Sequence, residues 1–210
     1  MLSLCVFGVA QVACAQVARW APFLVRPSTA RVAAKLILGI ALSSTAAGQV
    51  IFTEYVEGAG HNKALEITNV SDAPFDLSVC RIGMYFNGAT TRGQDFTLIG
   101  VLAPGASHVF YHSETGGTYS HEFLAAVGAA PSSQSAGFGW FNGDDAIVLE
   151  CQGQVFDSLG QVGVQEKWGQ DLTLRRSSGP GKTDPKSEWR PDDLGWQRLP
   201  NNTFDGLGHR

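Results

Sequence analysis

Three groups of residues in this chain are of types that perform chemistry. The first is FNGDD, where Asn142, Gly143, Asp144 and Asp145 place an amide and two adjacent carboxylates behind Phe141. Adjacent carboxylates hold calcium or run acid–base chemistry, but calcium takes about six to eight oxygen ligands and this stretch supplies only a few. A tight turn accounts for all five residues without an ion. Asn-Gly is a strong hairpin signal because both residues tolerate positive φ, Asp144 then bonds a nearby backbone amide, and Asp145 opens the strand AIVLEC. The turn is the reading adopted, with Asn142, Asp144 and Asp145 as the calcium alternative.

The second group is Glu54 and Glu66, on consecutive apolar segments that a hairpin brings together. Carboxylates about 5 Å apart would serve a retaining glycosidase. The competing reading is structural: a buried carboxylate must be compensated, here by loop amides or by Arg175 or Arg176. The third group is His108 and His112, spaced as a chelating pair would be on a helix. They lie instead in SHVFYHS, which alternates as a strand and separates them by about 13 Å. His61 and His209 fall in loops, and His121 is isolated. No G-x-S-x-G elbow surrounds Ser158, Ser177 or Ser178, and GATTRG lacks the lysine and spacing of a phosphate loop. These residues predict no enzyme, no metal and no cofactor.

The elements that position these groups are short. VIFTEYVE (50–57), KALEITNV (63–70), CRIGMYFN (80–87), FTLIGVL (96–102), SHVFYHS (107–113), DAIVLEC (145–151) and QVFDSLG (154–160) alternate with period two between turn signals. Gln152-Gly153 reads as a tight hairpin turn. EFLAAVGAA (122–130) is the single helical candidate. Seven or more strands spaced by about ten residues predict a β-sandwich. After DLTLRR (171–176) the chain turns polar and rich in Pro and Gly, with Trp189, Trp196 and Phe204 as anchors; this predicts an irregular C-terminal tail.

Residues 1–48 differ from the rest. They contain Arg19, Arg26, Arg31 and Lys35 but none of the chain's 19 acidic residues, and an apolar core at about 36–47 follows the last two bases. That order predicts a leader containing a secretory signal, with the mature chain starting near Gln49. Once the signal is removed no stable membrane span is expected. Residues 49–210 then form one domain with a net charge of −8. An acidic body argues against nucleic acid as a partner. Cys80 and Cys151 are the cysteines that remain, and two in an exported chain form a disulfide more often than a zinc site.

Several stretches taken in order, TEYVEGAGHNKALEITN, FDLSVCRIGMYFNG, FNGDDAIVLECQGQVFDSLGQVG, TLRR and FDGLG, resemble the bacterial lamin-tail domains. The resemblance implies an immunoglobulin-like β-sandwich over about residues 49–210. It singles out Glu54, Asn62, Lys63, Glu66 and Asn69 in the first stretch and Asn87 in the second. Phe141, Asn142, Gly143, Asp144, Asp145, Asp157 and Gly160 follow in the third, then Arg175 and Arg176, and finally Asp205 and Gly208, all in structural roles. It further implies a secreted or envelope-located (periplasmic or extracellular) binding or attachment module with a protein or cell-envelope ligand. The alternatives are an accessory that assists a secreted nuclease or phosphatase in trans and, less favoured, a hydrolase using Glu54 and Glu66.

Overall fold

The computed structural model describes residues 49–137 and 141–209; the basic leader and its apolar core lie outside the described residues. The strands are β1 (Val50–Glu57), β2 (Lys63–Asn69), β3 (Phe75–Asp76), β4 (Cys80–Tyr85), β5 (Gln94–Thr97), β6 (Val101–Leu102) and β7 (Ser107–His112). The helix α1 (His121–Ala129) precedes β8 (Ser133–Ala136), β9 (Ala146–Cys151), β10 (Gln154–Leu159), β11 (Leu172–Arg176) and β12 (Trp196–Pro200). One sheet runs β12-β11-β1-β2-β7-β8, the other β10-β9-β4-β5, and β3 pairs with β6. Among the described residues only β7 and β8 run parallel; the other strand pairs are antiparallel.

The alternating segments become strands because each offers an apolar face to the other sheet. Phe52, Leu65, Ile67, Phe110 and Leu174 of the six-stranded sheet share one core with Ile82, Met84, Ile147, Leu149 and Leu159 of the four-stranded sheet. This is a β-sandwich. The larger sheet is also covered on its outer face, where Val56, Ala64 and Val109 pack with Phe123 and Val127 of α1 and with Phe204 and Leu207 of the C-terminal segment. Double coverage explains why β1 is buried along all eight residues although Thr53, Glu54 and Glu57 are polar. A bulge between Phe52 and Glu54 resets its register, leaving Glu54 and Val56 on the outer face and Tyr55 in the sandwich core.

Two expectations need correction. FTLIGVL is not one strand: Gly100, with φ +97, breaks the extended backbone between β5 and β6. The tail is not irregular throughout, since Trp196–Pro200 adds the edge strand β12 to β11. Pro200 is tolerated there because an edge strand need not use every N–H. Gln152 and Gly153, with φ 53 and 76, make the tight turn between β9 and β10.

Cys80 and Cys151 are register partners on β4 and β9, with Cα atoms 4.0 Å apart and a disulfide between them. The bond fastens neighbouring strands of one sheet across a 71-residue separation. Closing a loop of that length is worth about 4 kcal/mol on the chain-entropy account. The variant carrying both Cys80→Ser and Cys151→Ser should therefore lose about 2–4 kcal/mol in urea unfolding and become insensitive to dithiothreitol.

Candidate functional site

The polar residues of the motifs gather at three places, and strand periodicity sets which. Successive side chains on a strand point to opposite faces. Arg175 and Arg176 of β11 are therefore divided between the two sides of the larger sheet, Arg175 outward and Arg176 into the sandwich.

On the outer face, Glu54 and Glu66 are direct cross-strand partners, and Arg175 is the partner of Glu54 on its other side. Arg175 Nε donates to Glu54 Oε2 at 3.0 Å, and its Nη2 donates to Glu54 Oε1 at 3.3 Å and to Asp205 Oδ1 at 2.6 Å. Glu66 accepts from the Thr53 hydroxyl at 2.5 Å and from the Gly208 backbone N–H at 2.6 Å. The C-terminal segment is thus clamped over both carboxylates, and Gly206 lies so close to Arg175 and Glu54 that a Cβ would not fit. Glu54 is 1% exposed and Glu66 2%. Burial pushes the Glu54 carboxyl up to about 7, against the pull of Arg175. A cavity of about 170 Å³ lies over the pair. Small-molecule sites run from about 300 Å³ upward, so this space is smaller than a usual ligand pocket.

Inside the sandwich, Asp157 of β10 and Arg176 form an ion pair whose side chains are both fully buried, at 2.9 Å. Asp157 also accepts from the backbone N–H groups of Phe52 (2.9 Å), Ser158 (2.9 Å) and Lys182 (2.7 Å). Arg176 stacks on Trp196, with 4.5 Å from its guanidinium carbon to the ring centroid.

The third place is FNGDD, and here the hairpin reading is corrected. Asn142-Gly143 joins no paired strands, because β8 lies along β7 while β9 pairs with β10 and β4. Of the two residues only Gly143, at φ +93, has positive φ, whereas a type I′ turn needs both. Gly143 meets a second demand: the backbone of Gly169 and Gln170 occupies the space a Cβ would take. The amide-binding carboxylate is Asp145 rather than Asp144. Asp145 accepts from the N–H groups of Asn87 (2.9 Å) and Asn142 (3.1 Å), while Asp144 accepts from the Gln165 side chain at 3.1 Å. One end of the Asn142 amide faces both carboxylates, and hydrogen-bond balance assigns its nitrogen to that end. Burial raises the Asp145 carboxyl above the usual range. Among the described residues no group of three or more His, Cys, Asp or Glu is placed to hold a metal ion.

The remaining motif residues also have partners in the fold. Asn62 accepts from Ser120 N–H at 3.0 Å and donates to Asn202 at 3.3 Å. Lys63 pairs with Glu57 across β1 and β2. Asn69 donates to the carbonyls of Ala73 and Leu102, each at 2.8 Å. Asn87 adopts φ +50, and Gly160 at φ +68 abuts the Trp168 indole. Phe141 packs on Tyr55 with centroids 4.9 Å apart. His108 and His112 share β7 as expected of a strand pair, His108 meeting Ser132 at 2.5 Å. Sequence spacing missed the stacking of His112 on His61, 5.2 Å between centroids, because those residues meet only in the folded chain.

The family model described as Lamin Tail Domain matches residues 43–163. No curated protein matches the chain.

Glu54 allows a test of this arrangement. Its folded-state value near 7 exceeds the ordinary 4.5, so its contribution to stability is complete below about pH 4.5 and is lost as pH rises through about 7. Asp145 titrates in the same sense, while burial lowers His108 and His112 and opposes it, so the comparison must be with a variant. Between pH 5 and 8 the wild type should lose up to about 3 kcal/mol relative to Glu54→Gln in urea unfolding. Parallel stability curves would contradict it.

Proposed function

The chain belongs to the lamin tail domain family, and from that premise we propose that it is an exported, non-catalytic binding or attachment module working in the cell envelope or outside the cell. The observation that carries this reading is the engagement of the candidate catalytic acids. Glu54 and Glu66 hold Arg175, Thr53 and Gly208 beneath the C-terminal segment, where bond cleavage would require both to be open to substrate and water. Asp145 and Asp157 are engaged with backbone amides in the same way. The Cys80–Cys151 disulfide suits an oxidising compartment. Among the described residues no helix is long and apolar enough to cross a membrane. The basic-then-apolar leader supplies the route out, and the net charge of −8 over residues 49–210 turns the domain away from nucleic acid.

Expression of the full chain with a C-terminal tag in a secreting bacterial host tests the reading. The exported protein should begin near Gln49 by intact mass, bind isolated cell envelopes saturably, and retain that binding in Glu54→Gln. Retention of Met1 in the cytoplasm would overturn the export reading. Phosphodiesterase, phosphatase or glycosidase activity abolished by Glu54→Gln would overturn the non-catalytic one.

A further inference from the structure

Most buried acids of this fold are matched by a base: Glu54 by Arg175, Glu57 by Lys63 and Asp157 by Arg176. Asp144 and Asp145 are not. They are 5% and 2% exposed, and among the described residues no Lys, Arg or His forms an ion pair with either. Their partners are neutral: the N–H groups of Asn87 and Asn142 on Asp145, and the Gln165 amide on Asp144. Buried charges are ordinarily paired or coordinate a metal.

Two further polar groups reach the same place from opposite sides. On the solvent side stands Asn142, itself exposed, with one end of its side-chain amide facing Asp144 Oδ1 and Asp145 Oδ2, the latter at 3.1 Å. From the core comes Tyr55, which is fully buried and whose hydroxyl has no hydrogen-bond partner. Its ring packs on Phe141, and its tip lies against Gly169, whose N–H donates to the Gly143 carbonyl at 3.0 Å. Burial, and after it the charges of Asp145 and Asp144, push the phenol well above its ordinary value, so the hydroxyl lies in the field of both acids. A buried tyrosine hydroxyl usually has a partner, which makes this one an observation independent of the acidic pair.

A hard divalent cation answers both observations. It carries the charge that the neutral donors lack, and it accepts carboxylate, amide and water oxygens together. Among the protein groups alone, hydrogen-bond balance turns the Asn142 nitrogen toward the acids; a cation between them turns the oxygen there instead. Magnesium demands a near-ideal octahedron, whereas calcium tolerates the irregular set that one short turn provides. No His or Cys stands in FNGDD to favour a softer metal. We propose that FNGDD holds calcium, bound by Asp144 Oδ1, Asp145 Oδ2 and the Asn142 side-chain oxygen, with water on the exposed side and the Tyr55 hydroxyl closing the core side. Two acids and neutral oxygens make a weak site, with a Kd of about 10⁻⁴–10⁻³ M, as in extracellular modules. The turn remains as the scaffold of the site. The proposal goes beyond the attachment reading and does not depend on it.

The test uses the purified product of the full chain, stripped with EDTA and melted with calcium, with magnesium or with chelator. At about ten times Kd, calcium should raise the melting temperature by about 3–6 °C, and chelator should reverse the rise. Terbium, a calcium surrogate, should show luminescence sensitised by the neighbouring Tyr55 and Trp168 and be displaced by calcium. Asp144→Asn keeps an acceptor for Gln165 but removes charge. It should melt at or above the wild type in EDTA and below it in calcium, with no calcium response of its own. Asn142→Ala, at an exposed position, should weaken calcium binding by about tenfold and carries the test if Asp144→Asn does not fold. Superimposable wild-type melts in calcium and chelator, an equal response to magnesium, or a calcium response that survives in these variants would each overturn the proposal.

Discussion

One carboxylate holds together parts of this domain that are far apart in the chain. Asp157 leaves the four-stranded sheet to meet Arg176 and the Phe52 N–H of the six-stranded sheet, and it anchors the segment after β11 through the Lys182 N–H. Taking a carboxylate and a guanidinium out of water costs several kcal/mol each, and only mutual attraction plus full hydrogen bonding offsets that. Here two arginine nitrogens and three backbone N–H groups surround the acid, and burial still holds its carboxyl above the usual range. Such a pair contributes less net stability than its geometry suggests, because a well-packed apolar pair could replace it. What it does impose is register. A one-residue slip of β10 or β11 would leave a buried charge alone.

The same logic governs the outer face. Glu54, Arg175 and Asp205 form a chain of charges from β1 through β11 to the C-terminal segment, and Glu66 takes the Gly208 N–H beside it. The segment covers Val56, Ala64 and α1 with Phe204 and Leu207, so polar clamp and apolar cover support each other. Acids that would signal an active site in another fold are here the fastenings of a sandwich covered on both faces of its larger sheet.

Much of the frame was legible in the sequence, since the strand-like segments between turn signals placed β1, β2, β4, β7, β9 and β10 within a residue or two. What escaped it was non-local. Ser133–Ala136 and Trp196–Pro200 are strands because β7 and β11 offer them open ladders, not through the polar SQSA or the Pro-ended WQRLP themselves. FTLIGVL was misread because Gly100 acts through its φ, which composition does not reveal. At the candidate site, the partnership of Glu54 with Arg175 was open to inference from the need to compensate a buried acid. The choice of Arg175 for Glu54 and Arg176 for Asp157 was not, because it depends on which face of β11 each arginine meets. FNGDD was read as structural, yet the amide-binding role falls to Asp145 rather than Asp144 because the N–H of Asn87 arrives from the segment after β4.

The central claim is that the buried acids are fastenings, and Asp157→Ala measures it most directly. Urea unfolding of the oxidised protein, with amide hydrogen exchange as the regional readout, should show a loss of about 3–5 kcal/mol or no folded domain, and protection should fall in both sheets together. A variant within about 1 kcal/mol of wild type, or one that loosens β10 while the six-stranded sheet keeps its protection, would contradict it.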